Sequence, residues 1–385
     1  MFELDASLRA LEAQAREWAV DFRAHALELD AEPDRVGEFL DLPGVRYMSS
    51  VLIPPEYGPP AARVGGYRFT GMSALERVVV MEELACGDAG LLLGSPGGAM
   101  SGVLIDLLAD TEQKTRYYGR LLERPTWTFF ALTEPGSGSD AAAMRAQLLP
   151  SRDGIGLRFN GAKTYIGNAA RAGIGVAFAR TRPGPLGVTA VLVDPDEPGF
   201  RAEPIDTEGL RALRISACEF DAVHVREEQV LGRHLSPTRR GMWSCVQTFN
   251  RLRPAVAAVA LGIARAAYEY VWAHRATLRA EERERLDRIG RRVHGARQLV
   301  RYAAAAVERR GGGHLASAAK ARACRLAEEV TVGACEFFGP AARFEHPLLD
   351  KFARDARGVE FMEGTRNMQL LNVFNGFMAG KLSTL

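Results

Sequence analysis

FFALTEPGSGSD, residues 129–140, is the point at which the chain changes its period. Phe129, Phe130, Ala131 and Leu132 form an apolar run short enough for one buried strand, and Pro135, Gly136 and Gly138 end it in a tight turn. Glycines let main-chain N–H groups come close to a flat or anionic ligand, while Thr133, Ser137 and Ser139 add hydroxyls that donate or accept hydrogen bonds. Two readings stand side by side: a ligand-binding loop, or a turn that serves only the fold.

Upstream of this stretch the apolar residues recur at three- and four-residue steps. This period predicts a first helix from Leu4 to about Leu29, a run capped by Ser73 over Ala74–Ala85, another over Gly98–Leu108, and one from Thr111 to near Leu122. IPPEYGPP, residues 53–60, forbids a regular element and marks a fixed connection. Downstream, GLRFNGAKTYIGNAA, GIGVAFART, GVTAVLVD and CEFDAVHVREEQVL alternate as strands between Gly, Pro and Asp turns. From Arg240 the helical period returns in Ala- and Arg-rich runs of the kind that build an antiparallel bundle, interrupted at Gly311–Gly313. The expectation is an α+β chain: an N-terminal α-helical domain over 1–125, a middle β domain, barrel or sandwich, over 126–235, and a C-terminal helical bundle over 236–385. No βαβ alternation, GxGxxG or P-loop pattern is present, which argues against a doubly wound nucleotide fold.

The 385 residues, 47% apolar and 25% charged, are enough for two or three packed domains. Lys and Arg total 49 against 47 Asp and Glu, a net charge of +2, so nothing in the balance calls for nucleic acid or an anionic membrane. Five scattered cysteines without a CxxC pair suit a reducing, cytoplasmic setting, and the seven histidines show no metal-ligand spacing, so no metal is assigned. The longest apolar stretch, near Val256–Ala264, is too short to cross a bilayer.

Near the C-terminus, RDARGVEFMEGTRNMQLLNVF sets Glu363 between Met362 and Gly364, ahead of a helical run. A carboxylate among apolar side chains is made a stronger base by desolvation. It also reads as a solvated helix-start residue.

Taken together and in order, IPPEYG, EELACGD, DTEQK, ALTEPGSGSD, NGAKTYIGNAA, FDAVHV, RPAVAAVALG and RDARGVEFMEGT resemble landmarks of the acyl-CoA dehydrogenases over nearly the whole chain. The resemblance implies a four-helix bundle as the C-terminal domain and a homodimer or homotetramer. It implies an FAD enzyme that removes hydrogens from Cα and Cβ of an acyl thioester. Glu363 matches the family base that takes the Cα proton while the Cβ hydrogen leaves as hydride to flavin N5. The thioester carbonyl then accepts from the N–H of this Glu and from a ribityl hydroxyl. Phe130, Leu132 and Thr133 match residues along the isoalloxazine ring. Gly138 and Ser139 match contacts to pyrophosphate and pantetheine, and Tyr165 and Ile166 match the pair on the other side of the ring. Gly364, Thr365 and Asn367 match the adenosine and phosphate end. Arg253 matches an arginine near the base, with a bundle salt bridge as the other reading.

Three segments depart from the family pattern. Gly167 stands where a Thr or Ser hydroxyl normally donates to flavin N5, so a main-chain N–H, water or a different tuning of the flavin must take its place. The Arg-x-x-Phe-Gly segment has no clear counterpart in residues 272–292, Arg275 being nearest. FFGPAARF, residues 337–344, keeps Gly339 but has Pro340 for a second glycine. The arginine-dense residues 272–301 read either as a helix face laced with ion pairs or as a docking face for an acidic acyl carrier protein, as in family members of secondary metabolism. The acyl carrier is therefore CoA or a carrier protein, and the usual electron acceptor is an electron-transferring flavoprotein. A flavin monooxygenase of the same superfamily and a noncatalytic binding homologue are the alternative functions; Glu363 and the retained TEPGSGSD and EGT segments speak against them.

Overall fold

The computed structural model describes residues 2–152, 154–309 and 311–381. Asp5 opens α1 (Ala6–Ala24) by accepting from the Leu8 N–H at 2.8 Å, and Leu11, Ala15, Ala19 and Phe22 put one face of that helix into the core. The predicted first helix breaks at His25 into α1 and α2 (Ala26–Ala31). α3 (Pro43–Ser50) follows. An antiparallel hairpin of β1 (Ala62–Val64) and β2 (Tyr67–Phe69) then interrupts the otherwise helical first section, a pair absent from the sequence expectation. α4 (Ala74–Gly94) is capped by Ser73 and runs well past the predicted Ala85, bending where Asp88 leaves helical geometry (φ −153°, ψ 119°). α5 (Ala99–Leu108) and α6 (Thr111–Glu123), the latter closed by an Asp110–Gln113 capping box, complete the section.

Seven strands make one curled, half-barrel sheet: β3 (Thr128–Ala131), β4 (Gln147–Pro150), β5 (Leu157–Ile166), β6 (Ile174–Arg180), β7 (Val188–Val193), β8 (Phe200–Pro204) and β9 (Ser216–Val225). β4 and β8 are additions to the strands read from sequence. β7 lies on one edge of β6. Its other edge takes β3 at Ile174–Ala177 and then β4 at Arg180, so β3 and β4 run end to end along the same strand. The residues between them, 132–146, have nowhere to go in the sheet and stand out as a loop. FFALTEPGSGSD is thus the end of β3 and the start of this excursion.

α7 (Met242–His274), α8 (Ala280–Glu308), α9 (Gly313–Cys335) and α11 (Pro347–Glu360) pack as the C-terminal bundle; the short α10 (Ala342–Glu345) precedes α11, and α12 (Arg366–Met378) lies on α9. α7 is long and apolar enough to cross a membrane by length and composition, more than its sequence run suggested, but 78% of that window is buried. The buried apolar surface is used internally, against α4, α5, α8, α9 and α11. Gly262 allows the closest approach: a Cβ there would lie 2.4 Å from the Glu82 carbonyl of α4. Arg265 fastens the same crossing, donating to Glu82 at 2.9 Å and to Glu83 at 2.7 Å.

Candidate active site

A cleft of about 2580 Å³ opens between the sheet edge, the 132–146 loop and the helices α4, α5, α7 and α12. Backbone strain is concentrated around it. Of the eight non-glycine residues with positive φ among the described residues, six line the cleft: Leu52, Ala99, Tyr165, Asn168, Leu210 and Glu363. Conformations of that sort cost of order 1–3 kcal/mol each and persist where surrounding structure imposes them.

Glu363 sits at φ 52° in the turn between α11 and α12. That turn is clamped from below. Lys320, fully buried in α9, donates to the carbonyls of Glu360 at 2.9 Å and Gly364 at 2.7 Å. Gln369 donates to the carbonyls of Glu363 at 3.0 Å and Gly364 at 2.8 Å, and the Arg366 N–H reaches the Glu360 carboxylate at 2.6 Å. Arg253 donates through Nε to the Glu363 carbonyl at 3.4 Å and through Nη1 to Asn250 at 3.0 Å and Ser317 at 3.4 Å. Its partners are neutral, so it is neither a salt bridge of the bundle nor a hydrogen-bond donor to the carboxylate; it holds the main chain that carries Glu363.

The carboxyl of Glu363 is left free. The residue keeps partial exposure toward the cleft, yet Oε2 is sealed from solvent with no hydrogen-bond partner. Burial pushes its pKa up to about 8, against the pull of the Arg253 and Lys320 charges. If this carboxyl is a catalytic base it must be deprotonated to act, and kcat/KM of the free enzyme should then rise with pH through about 8 and level off above it, a limb that Glu363→Asp should move and Glu363→Gln should abolish. The linkage runs the other way for stability. The folded state holds this proton between the ordinary glutamate range and about 8 and the unfolded state does not, so the contribution of Glu363 to stability falls as pH rises across that window.

The 132–146 loop is pinned at its base by a buried ion pair. Lys163 donates to Glu134 at 2.9 Å and to the Leu132 carbonyl at 3.0 Å, while Glu134 accepts from the N–H groups of Arg145 at 2.6 Å and Ala146 at 2.9 Å. Both ends of the excursion are therefore tied to one carboxylate. Phe130, Leu132, Thr133, Gly138 and Ser139 line the cleft, and the hydroxyls of Thr133, Ser137 and Ser139 have no hydrogen-bond partner among the described residues.

On the facing strand a register shift between Lys163 and Ile166 breaks the pleat. Such a bulge re-aims side chains. It sets Tyr165, 69% exposed, with Ile166 and Gly167 in the cleft wall. Gly167 is flanked by Leu213, whose Cδ1 would lie 2.9 Å from a Cβ at position 167. Leu213 is placed from a distance: Lys351 is bonded to Asp88 and, at 2.6 Å, to Asp355, and Asp355 accepts from the Leu210 N–H at 2.6 Å at the start of the Leu213 turn. Gly167→Ser should therefore cost about 1 kcal/mol of overpacking, and Leu213→Ala in the same chain should relieve it, as read by urea unfolding of the double-mutant cycle.

Gly364 and Thr365 also line the cleft. Thr365 is the N-cap of α12 without a side-chain capping bond; the Arg366 N–H is taken by Glu360, which leaves the Thr365 hydroxyl and the N–H groups of Asn367 and Met368 for an anionic group. Asn367 is exposed and lies outside the lining. Lys320, Gln369, Lys163, Glu134 and Leu213 are the residues the sequence reading did not single out. Only Lys163 carried a local signal, since strand alternation puts it on the buried face with Phe159.

A cleft shared by a sheet edge and a helical bundle, lined by open hydroxyls and a desolvated carboxylate, has room for a large flat cofactor. Residues 129–223 match the acyl-CoA dehydrogenase middle domain and residues 239–377 match the acyl-CoA dehydrogenase C-terminal domain. The chain belongs to the acyl-CoA dehydrogenase family. A probable acyl-CoA dehydrogenase, FadE25 of Mycobacterium leprae, is 27% identical over 387 residues, spanning 95% of this chain and 92% of the relative. The structure of butyryl-CoA dehydrogenase from Megasphaera elsdenii superposes with a TM-score of 0.84 at 25% identity, covering 98% of this chain and 100% of that one. An FAD complex of PigA gives 0.82 at 20% identity, with 99% of each chain covered. The cofactor is FAD. The residues present fit it: the cleft has the volume, the loop offers unpaired hydroxyls, and the α12 N-terminus offers N–H groups for a phosphate.

Proposed function

We propose that the protein is an acyl-thioester dehydrogenase that introduces a Cα=Cβ double bond, with Glu363 as the base. The observation that carries this reading is the Glu363 carboxyl, sealed at Oε2, unpartnered and shifted toward neutrality in the same cleft as the TEPGSGSD loop. Bound FAD supplies the acceptor for the Cβ hydride. Glu363 takes the Cα proton, and its own N–H, which has no acceptor among the described residues, is available to the thioester carbonyl. Arg253, Lys320 and Gln369 hold that N–H and carboxyl in place by bonding the neighbouring carbonyls.

The thioester is carried on CoA or an acyl carrier protein. Most arginines of residues 272–301 are engaged in ion pairs, among them Arg285 with Glu336, Arg292 with Glu329, Arg297 with Glu82 and Arg301 with Glu12, which favours the laced helix face over a dedicated carrier surface. Leu370, Leu371, Phe374, Phe377 and Met378 leave α12 with an exposed apolar face, which supports assembly as a homodimer or homotetramer. An electron-transferring flavoprotein is the acceptor and the cytoplasm the location in this reading. The test is anaerobic titration of the yellow protein with saturated acyl thioesters: bleaching of the flavin supports it, and a protein that holds FAD but is bleached by no thioester defeats it.

A further inference from the structure

Among the charged groups that line the cleft is a buried cation that the reaction does not use. Arg77 on α4 is 6% exposed and lines the same cleft as Glu363. Its Nη1 is spent on main-chain carbonyls, Met72 at 2.6 Å and Gly71 at 3.4 Å. Nε is sealed from solvent without an acceptor, and Nη2 makes no hydrogen bond among the described residues. The unused Nε–Nη2 edge is the fork of a guanidinium that matches the two oxygens of a carboxylate. No carboxylate of the chain takes it. Glu76 accepts from the Gly71 N–H at 2.8 Å, Glu308 accepts from Ser73 at 2.5 Å and the Leu75 N–H at 3.2 Å, and neither pairs with Arg77. Arg251 on α7, whose charge acts on Arg77, is engaged by Asp106 at 3.3 Å. Burial is the main influence on the guanidinium and pulls its pKa down to about 10, so it stays charged at neutral pH. A second polar atom nearby is also unsatisfied, the buried hydroxyl of Tyr47.

Many of the side chains lining the cleft that holds both groups are apolar. Arg253, Val256 and Val259 share one stripe of α7, so the wall that begins at the Glu363 clamp continues toward α4. Met48, Met72 and Met81 line the same cleft as the two valines and Arg77. An unbranched acyl chain suits such a wall, and a charge at its end is wasted on a purely hydrocarbon tail.

We infer that Arg77 is a substrate-recognition residue that receives a carboxylate at the far end of the acyl chain, so that the preferred thioesters are half-thioesters of dicarboxylic acids. This rests on the dehydrogenase reading for the thioester but not for the carboxylate. The test is binding, by calorimetry, of unreactive pantetheine thioethers to the FAD-loaded protein, comparing ω-carboxyalkyl chains of three to eight carbons with the matched alkyl chains. Wild type should bind one length of the carboxylated series at least about tenfold tighter than its alkyl match, the usual worth of a charge-assisted bond. Arg77→Met should remove that preference while leaving alkyl binding within about twofold, which also shows that the variant is folded. Arg77→Lys, which keeps the charge without the fork, should recover part of it. Absence of a carboxylate preference at every length in wild type, or equal loss of both series in the variants, overturns the assignment. If the preference holds but no thioester bleaches the flavin, the recognition stands and the dehydrogenase reading falls.

Discussion

Glu363→Gln should lower turnover by roughly 10²–10⁴-fold, the usual worth of a positioned general base, while the flavin spectrum and thioester affinity stay close to wild type. Nothing that builds the turn depends on the carboxylate. The bonds that fix it, from Lys320, Gln369 and Arg253, all end on main-chain carbonyls, so an amide of the same shape leaves them intact. The substitution also removes a group that burial holds away from its charged form, so the variant should lose the decline in stability that Glu363 brings as pH rises toward about 8. Steady-state kinetics and anaerobic binding separate the two effects: a fall in kcat with unchanged binding is expected, whereas a fall in binding alone would assign the carboxylate a structural part.

The second large effect is expected at Lys163. Its ammonium is wholly buried between Glu134 and the Leu132 carbonyl, and Glu134 in turn holds the N–H groups of Arg145 and Ala146. Lys163→Met leaves a buried carboxylate without its counter-charge, a change that typically costs about 3–5 kcal/mol. The loss falls on the residues that tie the two ends of the 132–146 loop together. Urea unfolding should show the lower stability, and the variant should release FAD more readily on gel filtration. Glu134→Gln keeps an acceptor for only one of the two N–H groups, which go to separate oxygens of the carboxylate, and leaves Lys163 without its counter-charge, so it should destabilise the loop as well. Full stability and full FAD retention in Lys163→Met would show that the loop is held by other means.

How much of this was legible in the chain depends on whether the cause was local. The end of β3 and the loop were readable at Pro135, Gly136 and Gly138 because turn chemistry acts over a few residues. Ser73 was readable as a cap for the same reason, and the long apolar stripe of α7 followed from its period. β4 and β8 were not, because Gln147–Pro150 buries only Leu148 and Phe200–Pro204 is mostly exposed, leaving no alternation to detect. The β1–β2 hairpin has strands of three residues, too short for a period, although its Gly65–Gly66 turn is a hairpin signal.

In the site, Glu363 and the loop could be found from residue type and neighbours. Lys320 could not: a lysine in an Ala-rich helix reads as solvated, and it is buried only because the α11–α12 turn folds over it. Leu213 against Gly167 is a contact between segments some forty-six residues apart, set by the Asp88–Lys351–Asp355 network, and no local pattern announces it. It also changes the meaning of Gly167, whose missing hydroxyl leaves a position flanked by a leucine rather than an open gap.

Proton removal can be watched apart from hydride transfer. A thioester with sulfur in place of the β-methylene has no Cβ hydrogen to give up, so incubating it with the FAD-loaded protein in D₂O reports only exchange at Cα, followed by proton NMR. Wild type should wash out the Cα protons, faster as pH rises through about 8, and Glu363→Gln should not. Equal exchange by the two proteins, or none by wild type at any pH while the analogue is bound, would contradict Glu363 as the base that opens the reaction.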